Sequence, residues 1–405
     1  MTDYTKVFRL FISSTFSDMT AERNALQHYV FPRLNELAAQ MGARFVPIDL
    51  RWGIRPEAGL DQRTMPICLK ELRRCQQLTP RPNFLVLLGD RYGWQPLPSA
   101  IEANEFSRLL QVAREHAEVV DPLVQHCDQR SAEKLLGRWY FEDRNACPPH
   151  FLLRTREADE RYADNDTWSH SVERPLLAVL RSLAELLHEP VGDDLMYFGS
   201  ATHQEIRAGA LDAASHEEQV VALGRTITNV SELKSLLPLP PRKQGAGTND
   251  DGPRADDYVD INKAGLHDKD AHDRLKEWAG LVGSSLGLPE LRTWPVTWTK
   301  GGITTDHIGE LDPKLEACMP LLEPGASANT LCEVVWQRLG RTIRAECAGL
   351  VVLDDLERTG QAHSAFRSEK SAVFVGRQKE LDVLRDYLCG DSSQQANGSA
   401  ADRAD

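Results

Sequence analysis

The 405-residue sequence is informative first for what it lacks. No stretch approaches the ~18 consecutive apolar residues of a membrane-spanning helix. None of the 8 cysteines stands in a C-x-x-C pair, and the 12 histidines form no H-x-x-x-H or H-E-x-x-H pair. The spacings of structural and catalytic metal sites are therefore missing. No G-x-S-x-G elbow occurs, which argues against a serine hydrolase. No G-x-x-x-x-G-K-[ST] loop occurs either, so the chain is not expected to bind ATP tightly. An excess of basic charge is absent too: 47 Lys+Arg stand against 60 Asp+Glu, a net charge of −13. Phosphate neutralisation needs clustered Lys and Arg, so nucleic acid is not an expected partner. MTDYTKVFRLF at the N-terminus has no basic segment leading into a long apolar run, and the expectation is a cytoplasmic protein with reduced, packing cysteines.

What is present describes a globular chain, with 41% apolar and 26% charged residues. Val7–Ser13 (VFRLFIS), Arg44–Leu50 (RFVPIDL) and Asn83–Leu88 (NFLVLL) read as short buried strands. Between the first two, Leu26, Val30, Leu34, Leu37 and Met41 make a helical stripe closed by Gly42, with Pro32 expected to kink or break it. Ser14, Thr15, Ser17 and Asp18 are candidate caps for that helix. Ile67–Cys75 reads as a helix carrying Cys68 and Cys75 on one face. Strand, helix, strand, helix, strand at this spacing predicts a parallel sheet with crossover helices.

Further on, Leu109–Trp139 reads as mostly helical and His150–Leu153 as a strand. Helices are expected at Pro175–Leu187, His203–Leu211, Asp270–Leu286 and Ala328–Ala348, and strands at Gln219–Thr226 and Leu291–Trp298. Arg242–Asp257 is Gly-, Asp- and Asn-rich and reads as an exposed loop. Trp139, Tyr140 and the aromatics of LRTWPVTW are expected to pack the core.

Five blocks carry a family resemblance: LFISSTFSDMTAER (Leu10–Arg23), IDLRWGI (Ile48–Ile54), ICLKEL (Ile67–Leu72), LLGDRYGW (Leu87–Trp94) and SATHQEIRAG (Ser200–Gly209). In this order they resemble the TIR-like N-terminal domains, of the domain of unknown function 4062 type, of STAND/NACHT-type NTPases. Those include NACHT–WD40 proteins, telomerase-associated proteins and bacterial relatives. The resemblance implies an α/β fold: a TIR-like or flavodoxin-like parallel sheet flanked by helices, with helical insertions. It implies a TIR-like effector domain over residues 1–360 with inserts at about 100–195 and 240–260. FVGRQKEL (Phe374–Leu381) is similar to the opening of STAND and AAA-type NTPase modules. Residues 361–405 then read as a linker and the truncated start of such a domain, the downstream NTPase and sensor domains being implied partners alongside self-association.

Candidate site residues follow from the sheet. Ligands of open parallel sheets bind beyond the carboxyl ends of the strands. Ser13, Ser14 and Thr15 leave the first strand there and enter a helix whose free N–H groups favour anions. Arg51 and Trp52 leave the second, suited to hold a phosphate and to stack on a nucleobase or nicotinamide. Asp90, Arg91 and Tyr92 leave the third. By resemblance to NAD-cleaving TIR domains, Glu205 is the catalytic candidate, a carboxylate that stabilises a ribosyl cation. Ala201 and Thr202 stand where the active enzymes carry Trp and Cys, and a capping or salt-bridging Glu205 is the alternative. Glu22 and Arg23 read as a buried structural pair, and Glu71 as part of a solvated face or a partner of Arg73 or Arg74. The resemblance thus implies an effector or signalling module that cleaves NAD or a related nucleotide on oligomerisation, in a role such as antiviral defence. NAD would be its substrate, and no cofactor is expected. A non-catalytic interaction or nucleotide-sensing adaptor is the alternative, and a nucleoside deoxyribosyltransferase-like enzyme a more distant one.

Overall fold

Along β1 (Val7–Ser13), Phe8, Leu10 and Ile12 face one way and Phe11 and Ser13 the other, and all are buried. A strand covered on both faces belongs inside a parallel sheet. The computed structural model describes residues 6–50, 64–79, 81–125, 127, 129–156, 159–187, 195–212, 219–239, 252–262, 264–285, 292–309 and 329–348, with 360, 363, 367 and 382. Residues 6–352 form one compact unit, and residues 1–5 with 353–405 another. FVGRQKEL and the polar tail after it lie outside the described residues, apart from the isolated positions just named.

After β1 come helix α1 (Thr20–Ala25), a π turn (Leu26–Val30) and helix α2 (Phe31–Gln40). Pro32 has no N–H for the carbonyl four residues back. The turn widens just before it, and Phe31 N reaches back five residues to Leu26 O. Arg174 N reaches Ser169 O in the same way ahead of Pro175. The expected side-chain cap of α1 is not formed: Met19, which has no side-chain oxygen to offer, holds the cap position, and Thr15 and Asp18 are bonded to each other. β2 (Arg44–Ile48), α3 (Thr64–Leu78) and β3 (Phe84–Leu88) complete the first βαβαβ stretch, with Cys68 and Cys75 both buried and free.

The crossover from β3 to the next strand of the sheet carries a lobe with its own core. It contains β4 (Ala100–Glu102), α4 (Ala103–Glu115), α5 (Ala132–Trp139), β5 (Tyr140–Asp143), β6 (His150–Leu153) and α6 (Arg174–Leu186). The three strands pair antiparallel in the order β4-β6-β5. Leu109–Trp139 is mostly helical, as expected, in pieces separated around a 3-10 turn at Asp121–Val124 that contains Pro122. Trp139, Tyr162 and Trp168 pack edge to face in the lobe core.

The chain returns through α7 (Ala201–Ile206) and a π turn (Arg207–Leu211) to β7 (Val220–Ile227), then α8 (Lys269–Ser285), β8 (Arg292–Val296) and α9 (Leu331–Cys347). The sheet order is β2-β1-β3-β7-β8, all parallel. This is the flavodoxin-like arrangement, whose order reverses between β1 and β3. α1, α2 and α9 cover one face, and α3, α7 and α8 the other. Ala255–Asp257, expected in an exposed loop, form a 3-10 turn with Ala255 buried against Ile227 and Trp298.

Gly209 lies over the Phe84 ring, where an added Cβ would stand 2.7 Å from the ring carbons. Gly209→Val is expected to lower stability by about 1–3 kcal/mol in urea unfolding. Adding Phe84→Leu should recover part of that loss through the shared contact, whereas strictly additive costs would contradict it.

Candidate functional site

Successive residues of an extended strand face opposite sides, and this splits the serine pair at the end of β1. Ser13 Oγ donates to Glu205 Oε2 at 2.6 Å, on the face covered by α7. Ser14 Oγ instead accepts from Arg23 Nη1 at 2.7 Å and donates to Thr15 O at 2.8 Å. Arg23 is fixed further by Asp49 Oδ1 at 2.5 Å and Ile12 O at 3.2 Å. Glu22 and Arg23 do not pair with each other, because consecutive helical residues diverge.

Glu205 is 8% exposed. Its helix begins with Ser200 Oγ accepting from His203 N at 3.2 Å. Burial pushes its carboxyl above the usual carboxylate range, while Ser13, Arg23 and Cys68 pull it back. The Cys68 thiol is pushed up by burial and by the Glu205 charge, so it stays a protonated donor toward the carboxylate.

On the other side of the edge, Arg225 of β7 is the centre of a buried charge cluster. Its side chain is 1% exposed, with Nη2 3.2 Å from Asp18 Oδ2 and Nε 3.4 Å from Glu22 Oε1. His307 Nε2 lies 3.0 Å from the same Glu22 oxygen, and the Tyr258 ring stacks on the guanidinium. Thr15 Oγ1 donates to Asp18 Oδ1. Gly89 makes room for this: a Cβ there would overlap Asp18 Oδ2 and stand 2.7 Å from Arg225 Nη2. The first glycine of LLGDRYGW is thus explained by a close approach of backbone to an ion pair.

Asp90 and its two successors tie the edge together. Asp90 Oδ2 accepts from Ile227 N at 3.0 Å, and burial raises its carboxyl above the ordinary range. Arg91 Nη1 donates to Ser17 Oγ and reaches Asp257 O at 3.4 Å. Tyr92 N donates to Asp260 Oδ2 at 2.5 Å, and its hydroxyl meets His203 Nδ1 at 2.7 Å and Phe198 O at 3.3 Å. Ser13, Ser14, Thr15, Asp90, Arg91, Tyr92 and Glu205 are therefore all engaged by the protein's own groups. Arg51 and Trp52 lie outside the described residues. Arg225, Asp260 and His307 were not read from the sequence. Only Arg225 carried a signal, as a charge within the otherwise apolar run of β7. Glu71 pairs with Arg74 at 3.5 Å, as expected, and with Arg9 at 3.0 Å. Among the described residues no group of His, Cys, Asp and Glu is placed to hold a metal ion, and no helix is long and apolar enough to cross a membrane.

Asp18 is pushed up to about 6, chiefly by burial, against the pull of Arg225, Arg91 and Thr15. A carboxyl raised on folding binds its proton more tightly in the folded state. Its contribution to stability is full below its unfolded value of 3.8 and is lost as pH rises through about 6. His203, pushed down to about 4 mainly by burial, loses stability in the opposite direction, as pH falls below 6.5. The wild-type minus Asp18→Asn difference isolates the first group. The wild type should gain about 1 kcal/mol on the variant between pH 7 and pH 5 in urea unfolding, and a flat difference would contradict the assignment. Gly89→Ala should cost about 1–3 kcal/mol at pH 7 by displacing Asp18 from Arg225.

Comparison with known proteins covers the first four of the five blocks, Leu10–Arg23 through Leu87–Trp94. Residues 9–124 match the family model described as "Domain of unknown function (DUF4062)". The chain is 32% identical over 192 residues to NACHT and WD repeat domain-containing protein 2 of Mus musculus, covering 45% of this chain and 10% of that protein. It is 34% identical over 136 residues to mouse NACHT domain- and WD repeat-containing protein 1, covering 34% and 8%. Over 88 residues it is 42% identical to telomerase protein component 1 of Rattus norvegicus, covering 22% and 3%. The chain thus spans about a tenth or less of the length of these relatives. No solved structure matches it. Residues 9–124 thus carry a DUF4062 domain, and over stretches of up to 192 residues the chain is similar to the NACHT and WD repeat proteins.

Proposed function

We propose that the Lys6–Val352 unit is a signalling module of a NACHT-type multidomain protein, acting as a non-catalytic, nucleotide-sensing adaptor. Self-association, a downstream NTPase and sensor domains as partners, and a cytoplasmic setting belong to the same proposal. The observation that carries it is the seat of Glu205. A carboxylate that stabilises a ribosyl cation has to be ionised and to face the sugar. This one is buried, its carboxyl pushed above the usual range by that burial, and it is taken up by Ser13 and Cys68 rather than open to a sugar. The neighbouring edge is filled by Arg225 and its partners.

A second reading, NAD cleavage switched on by assembly, is favoured by one contact. Glu205 meets Ser13 at the carboxyl end of β1, beside the point where the strand order reverses. NAD consumption by the purified chain, dilute and concentrated, and by cells expressing it separates the two. The adaptor reading expects no loss of NAD beyond that of a Glu205→Gln control. Loss that the Glu205→Gln change lowers a hundredfold or more would establish the enzyme instead. Glu205→Gln should fold with a Tm within a few degrees of wild type, because the amide oxygen still accepts from Ser13.

A further inference from the structure

A cavity lies between the lobe and the first turn of α3, beside the segment that leaves β3. It holds about 340 Å³ and is lined by Thr64, Met65, Trp94, Arg156, Trp168 and Glu173 among others. That volume sits at the lower end of small-molecule sites, which run roughly 300–1,000 Å³. It suits a ligand of nucleoside size better than an extended peptide or a dinucleotide.

Trp94 is the unusual wall. Gly93 turns the chain with φ +91, and a Cβ there would stand 2.6 Å from Thr15 Cγ2. The turn carries Trp94 outward to 47% exposure. Yet the residue is held, the indole Nε1 donating to Glu173 Oε1 at 3.0 Å and the main-chain carbonyl of Trp94 accepting from Ala201 N at 2.8 Å. A held, half-exposed indole at a cavity mouth is a stacking shelf for a flat heterocycle.

Arg156 supplies the positive charge, close enough to the Glu173 and Asp164 carboxylates to feel both. It is 5% exposed, its Nε held by Tyr162 O at 2.9 Å and its Nη2 by Ala163 O at 3.2 Å and Asn165 Oδ1 at 2.8 Å. Its guanidinium lies over Trp168, 5.2 Å from the ring centroid. Nη1 makes no hydrogen bond among the described residues, so the fork is oriented by the lobe with one arm left for an anion. Glu173 accepts the indole N–H through one oxygen and offers the other to an amino group of a ligand stacked on Trp94.

We infer that this cavity binds a nucleoside monophosphate whose base carries an exocyclic amine, the base on Trp94 and Glu173 and the phosphate at Arg156. This deepens the nucleotide-sensing part of the proposed function by naming a site, and it is independent of Glu205. The test titrates the full chain with AMP, reading tryptophan fluorescence and Tm. AMP should quench the emission and raise the Tm, and IMP, with an oxygen in place of the amine, should bind at least fivefold more weakly. Trp94→Ala, at an exposed position, should fold normally and bind at least tenfold more weakly, and Glu173→Gln should narrow the AMP–IMP gap. Glu205→Gln should bind AMP as wild type does. No response to millimolar AMP, or equal binding by wild type and Trp94→Ala, would overturn the site. Loss of AMP binding in a folded Glu205→Gln would move the ligand to the strand edge and overturn it too. A negative result here with no NAD turnover would leave the adaptor reading standing, whereas NAD turnover with intact AMP binding would remove that reading and keep the cavity.

Discussion

The carboxyl edge of the sheet depends on one buried guanidinium. Arg225 is nearly inaccessible to solvent, and its charge is met from Asp18 and Glu22 on the segment that follows β1. Removing one partner from such a pair leaves an uncompensated buried charge, which costs about 3–5 kcal/mol. The neighbouring contacts extend the same lock. Asp90 takes the Ile227 N–H, Asp260 takes the Tyr92 N–H, and His307 meets Glu22 Oε1. Arg225 Nη1, Glu22 Oε2 and His307 Nδ1 are buried without a hydrogen-bond partner among the described residues. Closure therefore rests on charge more than on complete hydrogen bonding.

This explains why the position of Glu205 does not by itself make an enzyme. The fold brings the carboxylate to the end of β1, where a flavodoxin-like sheet places ligands. The same fold surrounds it with Ser13, Cys68 and a raised proton affinity. The cavity at Trp94 differs in kind. Its polar groups are oriented by bonds to the lobe, and part of their bonding capacity stays open.

Much of the fold was legible because buried parallel strands announce themselves. VFRLFIS and HFLL end where the sequence reading ended them, and the other main strands shift by one or two residues. Pro32 marked its π turn for a reason of covalent chemistry. The lobe strands Ala100–Glu102 and Tyr140–Asp143 are too short for alternation to show. At the site, local sequence placed Ser13 and Asp90 at the strand ends but could not pair them. Their partners Glu205 and Ile227 lie 192 and 137 residues away. Asp260 and His307 come from segments without periodicity, and only the tertiary fold gives them a role.

Native-state hydrogen exchange tests the central claim, that the carboxyl edge is a charge-locked, closed surface. The Ile227 and Tyr92 amides sit inside the lock. In the wild type they should exchange with an opening free energy within about 1 kcal/mol of global unfolding. In Arg225→Met they should exchange through a local opening well below the global value of that variant. Exchange of both amides in the wild type several kcal/mol below global unfolding would contradict the account, because the edge would then open on its own.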